Sequence, residues 1–102
     1  FGFDYPWDNL LLNIGTPGVG VWTLVWEYWN GGWVALSGAI DNTLAFKAST
    51  GIKTVFFTRP VDWVPTNVNG VGNKYWIRAR VSGYTSITQQ PKGTQAWCRI
   101  IT

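Results

Sequence analysis

Side chains that could support catalysis are few and scattered in this chain of 102 residues. There is no histidine, Cys98 is the single cysteine, and the carboxylates are Asp4, Asp8, Glu27, Asp41 and Asp62. A glycosidase needs two carboxylates about 5–10 Å apart across a cleft, and no spacing here singles out a pair. A serine or cysteine nucleophile would have only a lysine or a carboxylate as its base. Because neither a Gly-x-Ser-x-Gly elbow nor a phosphate-binding glycine loop occurs, we predict a protein that is not an enzyme and has no catalytic residues.

The same composition offers little to a metal ion, a nucleic acid or a membrane. Without histidine, and with one cysteine, no usual zinc site can be assembled. Asp41, Asn42 and Asp62 could supply oxygen ligands to a calcium ion, but the dense Asp/Asn repeat of a calcium loop is missing, so we predict no metal and no cofactor. The net charge of +3 comes without any Lys/Arg run, so we expect no nucleic-acid partner. No apolar run approaches the length of a membrane span, so we expect none.

Tryptophan is the informative residue type, with eight copies in a chain whose aromatic content is 17%. The core of so small a domain usually needs two or three, so we expect several at the surface or in an interface. Exposed rings stack on sugars, whereas buried rings anchor protein–protein contacts. The low charged fraction of 13% favours packing against protein neighbours. We predict Trp7, Trp29 and Trp97 as interface anchors.

A second pattern combines tryptophan with arginine at alternate positions. Trp76, Arg78 and Arg80 share one face of a predicted strand, and Trp97 and Arg99 share one face of another. If these two strands pair with those faces aligned, two indoles and three guanidiniums form one patch. Arginine stacks on indole and binds carboxylates or phosphates in a bidentate manner. The patch would dock an acidic partner or an acidic glycan; the alternative is a solvated outer face with cation–π pairs.

Strand-forming runs separated by turn signals predict the scaffold. Residues 19–29 are the longest such run, and Asn30-Gly31 after it predicts a hairpin. The other predicted strands are 10–14, 33–36, 44–47, 53–58, 75–82 and 95–101, with a polar loop over 83–93. Seven to eight short strands without helical periodicity predict an all-β fold, a single antiparallel β-sandwich of jelly-roll-like form, with a barrel as the alternative.

The length fits one domain. We expect residues 1–8, Phe-Gly-Phe-Asp-Tyr-Pro-Trp-Asp, to be an N-terminal aromatic arm or lead-in that reaches a neighbouring chain, and residues 9–102 to be the sandwich domain. Cys98 lies in an apolar run and is expected to be a small buried hydrophobe. Since methionine is missing, even at position 1, we expect a chain that was processed or excised from a longer one.

Three spaced motifs carry a resemblance. They are Trp-Glu-Tyr-Trp-Asn-Gly-Gly-Trp-Val-Ala-Leu at 26–36, Thr-Arg-Pro-Val-Asp-Trp at 58–63 and Tyr-Trp-Ile-Arg-Ala-Arg-Val at 75–81. With Phe3-Asp4 and residues 13–16, they resemble a β-sandwich module of virion, tail and capsid-associated proteins of tailed phages and prophages. The resemblance implies a jelly-roll-like sandwich related in shape to carbohydrate-binding and discoidin-like domains, without catalytic residues. Modules of this family usually sit within longer chains.

These observations together predict a non-enzymatic structural protein of a phage virion, located on the extracellular particle. Capsid decoration and a tail-associated role are both open. Its partners would be other capsid or tail proteins and copies of itself. The alternative is a carbohydrate-binding module for adsorption to the host surface, with Trp76, Arg78 and Trp97 as its ligand residues.

Overall fold

The computed structural model describes residues 1–101, which contain nine strands in two antiparallel sheets and no helix. The predicted all-β sandwich is therefore confirmed. The strands are β1 (Gly2–Phe3), β2 (Asn9–Thr16), β3 (Val19–Trp29), β4 (Trp33–Ala35), β5 (Ile40–Asp41), β6 (Gly51–Phe56), β7 (Thr66–Asn67), β8 (Asn73–Gln89) and β9 (Lys92–Arg99).

The chain crosses between the two sheets at a shared corner. One sheet has the order β1-β8-β3-β4, with β7 also paired to β8, and the other has the order β5-β6-β2-β9. The turn at residues 17–18 connects β2 to β3, and the turn at residues 90–91 connects β8 to β9. The side-chain amide of Gln89 donates a hydrogen bond of 2.8 Å to the Pro17 carbonyl, which ties the two turns together.

Aromatic rings fill the centre of the sandwich. Trp63 lies in contact with four of them, with ring centroids 5.8 Å from Trp7, 5.5 Å from Tyr75, 6.0 Å from Phe57 and 6.4 Å from Tyr28. Four of the eight tryptophans are buried, namely Trp7, Trp22, Trp26 and Trp63. The core therefore uses more tryptophan than the sequence analysis allowed for, because large rings span the space between two sheets with few residues.

Residues 1–8 pack as part of the domain, where the sequence analysis predicted an arm or lead-in reaching a neighbour. Strand β1 pairs with β8 at Gly2 and Trp76. Trp7 is fully buried, and its indole N–H donates to the Tyr75 carbonyl at 3.0 Å. The prediction of Trp7 as an interface anchor is wrong, since a side chain enclosed by its own core has no surface to offer a partner.

The longest predicted strand and its hairpin are confirmed. Strand β3 spans Val19–Trp29, and its register with β4 places Trp29 opposite Trp33. Gly31 at the turn has a φ of 108°, which a glycine adopts at little cost. The Asn30 N–H closes the turn on the Gly32 carbonyl at 3.0 Å.

Two local predictions are wrong. Residues 44–47, predicted as a strand, form a turn in which Leu44, Ala45 and Phe46 have φ values of 51°, 56° and 67°. Residues 83–93, predicted as a polar loop, continue β8 as far as Gln89 and then begin β9 at Lys92. The polar segment can be a strand because it pairs with the first half of β3 and leaves its own side chains in solvent.

Candidate functional site

The predicted tryptophan–arginine patch is divided between the two sheets. Strand β8 pairs with β1, β3 and β7, whereas β9 pairs with β2. Trp76, Arg78 and Arg80 therefore lie on the outer face of the five-stranded sheet, and Trp97 and Arg99 lie on the other sheet. The single patch of two indoles and three guanidiniums does not form, because the two strands that carry it are not neighbours.

The arginines of β8 instead meet side chains of β3 and β4. Glu27 accepts hydrogen bonds from Arg78 Nε at 2.8 Å and from Arg80 Nε at 3.1 Å. The Arg78 guanidinium lies 4.4 Å from the ring centroid of Trp33. Trp33 and Trp29 are in edge-to-face contact, with centroids 5.4 Å apart and an interplanar angle of 73°. This arrangement matches the alternative of an outer face built from cation–π and ion pairs.

A groove of about 610 Å³ runs beside this cluster on the outer face, and we call it the outer-face groove. It is lined by Phe1, Trp29, Trp33, Thr66, Asn67, Val68, Asn69, Trp76, Ile77 and Arg78. The indole N–H of Trp76 is already used, since it donates to the Thr66 carbonyl at 2.7 Å. The groove offers indole edges, two side-chain amides and one guanidinium, which suits a small polar ligand. Of its rings, Trp29 and Trp33 meet edge to face and are not coplanar.

Glu27 is the electrostatic centre of this outer face. Its side chain is 8% exposed, against 40% for Arg78 and 49% for Arg80. The hydrogen bond from Arg80, followed by that from Arg78, holds the pKa of Glu27 below its usual value of 4.5, although burial acts in the opposite direction. One carboxylate balances two guanidiniums, so the cluster carries a net positive charge toward solvent.

Because the pKa of Glu27 is lowered in the folded state, Glu27 adds stability above the pKa of the unfolded chain and loses it as the pH falls through the folded value. We expect Glu27→Gln to lower the free energy of unfolding by about 1 kcal/mol at pH 7, discounted for the exposed arginines. The difference from the wild type should shrink below pH 4.5. Urea titrations at pH 3 to 7 measure it.

Asp4→Asn is the matched control, because the pair that Asp4 forms with Lys74 is exposed. Pairs of this kind contribute little, so its unfolding midpoint should stay close to that of the wild type. A Glu27→Gln midpoint equal to that of Asp4→Asn throughout the pH range would contradict the role of Glu27.

A second surface lies at one side of the sandwich, where neither sheet is closed. Beyond Ile77, the edge of β8 that faces away from β3 pairs with no strand of the described chain, and neither does the edge of β9 that faces away from β2. Two cavities of about 270 and 210 Å³ open between these edges, and Phe46 and Pro91 line both. We call this opening the lateral gap. Its lining also includes Leu12, Ile14, Trp22, Leu24, Ala79, Val81, Tyr84 and Ile87.

The remaining predicted anchors differ in exposure. Trp29 is half-buried against Trp33, whereas Trp97 is 38% exposed. Trp97 lies opposite Leu11 on the four-stranded sheet. Sequence analysis missed Trp33 as a member of the outer-face cluster, although the predicted Asn30-Gly31 hairpin already placed it opposite Trp29.

No protein-family model, curated protein or solved structure matches this chain. Within residues 1–101, no helix is available that could cross a membrane.

Two of the carboxylates, Asp62 and Asp41, hold turns in place. Asp62 accepts hydrogen bonds from the Tyr28 hydroxyl at 2.7 Å and from the Asn30 side-chain amide at 3.0 Å, which ties the β3–β4 hairpin to the turn at 61–62. Asp41 organises the turn that follows it.

The described chain brings together no group of three His, Cys, Asp or Glu side chains that could hold a metal ion. Burial raises the pKa of the Cys98 thiol to about 11, so this cysteine stays protonated near neutral pH.

Proposed function

We propose that this domain is a non-enzymatic structural module of a tailed-phage virion, either a capsid decoration or a tail-associated protein on the extracellular particle. It would pack against other virion proteins or copies of itself. The sequence resemblance supplies the virion context. The lateral gap carries the proposal of protein–protein packing.

The lateral gap supports packing because it exposes apolar side chains in one place. Val81 is 53% exposed and Tyr84 is 64% exposed, and both line the same cavity. Contiguous apolar surface of this kind marks interaction sites, whereas single exposed apolar residues do not. Open strand edges beside it favour the same conclusion, since natural proteins usually cover or charge such edges.

Particle composition tests the proposal. Purified particles of a phage that encodes this chain should contain it at a fixed copy number, measured by quantitative mass spectrometry against the major capsid protein. Cross-linking on intact particles should join it to a capsid or tail protein or to a second copy. A chain found in the lysate but missing from gradient-purified particles would contradict the proposal.

Carbohydrate binding is the second candidate, and the outer-face groove favours it. The groove places Trp29, Trp33 and Trp76 beside the side-chain amides of Asn67 and Asn69. Rings with a few polar groups are the usual components of a small polar-ligand site. The edge-to-face angle of 73° between Trp29 and Trp33 counts against a flat sugar platform.

A glycan array with multivalent display of the folded domain tests this candidate. If it holds, saturable binding to a defined glycan is lost at least tenfold in Trp33→Ala and retained in Trp97→Ala. Trp97 is the matched control because it lies on the opposite sheet. The same binding in both variants, or none in the wild type, would remove the groove as a glycan site.

A further inference from the structure

The lateral gap combines a free strand edge with an apolar lining, and these two features can receive one more strand. Strand β8 is 17 residues long, and β1 covers its outer edge only at Tyr75 and Trp76. From Arg78 to Gln89 this edge has no strand partner in the described chain. An edge strand of this length presents a row of unpaired N–H and C=O groups, which pair readily with an extended segment of another chain.

Along this edge, apolar side chains face the cavity and polar side chains face outward, which is the arrangement that an added strand would pair with. Val81, Tyr84 and Ile87 line the cavity between the sheets, and the polar side chains between them face outward. Register shifts in the ladder with β3 keep these apolar side chains on one face despite their spacing of three. A partner strand with apolar side chains at alternate positions would fill the cavity while its backbone pairs with the edge.

The charge around the gap is net positive, although the carboxylate of Glu27 pairs with Arg78 and Arg80 on the outer face of β8. From residue 63 to residue 101 the sequence contains no Asp or Glu, and its charged residues are Lys74, Arg78, Arg80, Lys92 and Arg99. Lys92 lines the gap, and no carboxylate of the described residues pairs with it. A second copy would add a second surplus of positive charge beside the first, which is unfavourable. An acidic segment is complementary.

We propose that the lateral gap binds an extended, acidic segment of a different protein, which adds to the five-stranded sheet as a strand along the free edge of β8. This inference rests on the proposed function, because it names the kind of virion partner that the gap receives. The partner supplies apolar side chains at alternate positions and carboxylates between them.

Hydrogen exchange on the whole chain tests strand addition directly. The probe is a synthetic nine-residue peptide with valine at alternate positions and Asp, Glu or Thr between them. Its control carries lysine in place of each acidic residue. We expect the acidic peptide to slow amide exchange at least tenfold within residues 78–89, and to bind at least tenfold more tightly than the lysine peptide at low salt. Added salt should reduce this difference.

A pair of matched variants locates the site. Val81→Glu puts a carboxylate into the gap, whereas Val21→Glu puts the same side chain on the opposite face of the β3–β8 ladder, at a residue of similar exposure (58% against 53%). We expect Val81→Glu to weaken binding of the acidic peptide at least tenfold and Val21→Glu to weaken it less than threefold. Near-ultraviolet circular dichroism of both variants checks that they are folded.

The inference is overturned if neither peptide protects residues 78–89 of the folded protein, or if the two variants weaken binding equally. Protection of that segment by dimerisation, without peptide, would also overturn it in favour of a second copy.

The virion role and the strand inference can fail separately. A chain present in particles but indifferent to the peptides loses only the strand inference, whereas a chain that binds the acidic peptide but is missing from particles loses only the virion role.

Discussion

Replacing Trp7 with alanine is expected to lower the free energy of unfolding by about 4 kcal/mol. The side chain is fully buried and contacts both Phe57 and Trp63. Its removal leaves a cavity between the sheets and removes the hydrogen bond from the indole N–H to the Tyr75 carbonyl. Urea unfolding followed by tryptophan fluorescence measures the change, and loss of folding at 25 °C would be its extreme form.

Two further variants separate the causes. Trp7→Phe keeps most of the ring but loses the indole N–H, so we expect a smaller cost of about 2 kcal/mol. Trp97→Ala removes a ring that is 38% exposed and should cost about 0.5 kcal/mol. If Trp7→Ala unfolded at the same urea concentration as Trp97→Ala, the assignment of Trp7 to the core would be wrong.

The features predicted correctly from the sequence are those that depend only on residues close together along the chain. Strand β3 and its hairpin follow from strand-forming residues and an Asn-Gly turn, both of which act locally. The alternation along β8 also holds, because Ile77 is buried while Arg78 faces outward. These features need no knowledge of which strands pair.

Predictions that depended on long-range pairing were wrong. The patch of Trp76 and Trp97 required β8 and β9 to be neighbours, but the chain changes sheet at residues 90–91. The role of Trp7 required knowing that the chain before β2 turns inward, which only contacts with Tyr75 and Trp63 decide. No local pattern carries this information, because period-two alternation gives the face of a strand and not its neighbour.

The turn at 44–47 was missed for a different reason. The side chain of Asp41 holds it in place, and strand propensities along the chain do not show this. Asp41 Oδ2 accepts from the Trp26 indole N–H at 3.0 Å, and Asp41 Oδ1 accepts from the Thr43 N–H at 2.8 Å. The Thr43 hydroxyl and the Ala45 N–H also donate to this carboxylate. One side chain thus offsets the cost of left-handed backbone at Leu44, Ala45 and Phe46, a conformation that costs about 1–2 kcal/mol per residue.

We therefore expect Asp41→Ala to lower the free energy of unfolding by about 3 kcal/mol, because it leaves donors of a partly buried network unpaired. Asp41→Asn keeps one acceptor oxygen and turns the other position into a donor, so its cost should be intermediate. Chemical denaturation of the three proteins should give the order wild type, Asp41→Asn, Asp41→Ala. An Asp41→Ala protein as stable as the wild type would show that the turn holds itself.

Leu44→Gly provides the complementary test. Leu44 is 64% exposed with a φ of 51°, so glycine removes backbone strain while losing little packing. We expect its stability to stay within about 0.5 kcal/mol of the wild type or to rise, and we expect glycine at 44 to recover part of the loss in Asp41→Ala. A cost above about 1 kcal/mol for Leu44→Gly would mean that the turn depends on the leucine side chain and not on the carboxylate.

The turn held by Asp41 also forms part of the lateral gap, so a change that destabilises the turn should alter the gap. Its carbonyls at Ala45 and Phe46 accept from the Trp22 indole at 3.0 Å and from the Gly18 N–H at 2.8 Å, and Phe46 lines both cavities. Loss of the Asp41 carboxylate should therefore speed amide exchange at 43–48 and also weaken binding of the acidic peptide at the gap. If exchange in the turn speeds up while the peptide binds as before, Phe46 forms no part of the surface that receives the added strand.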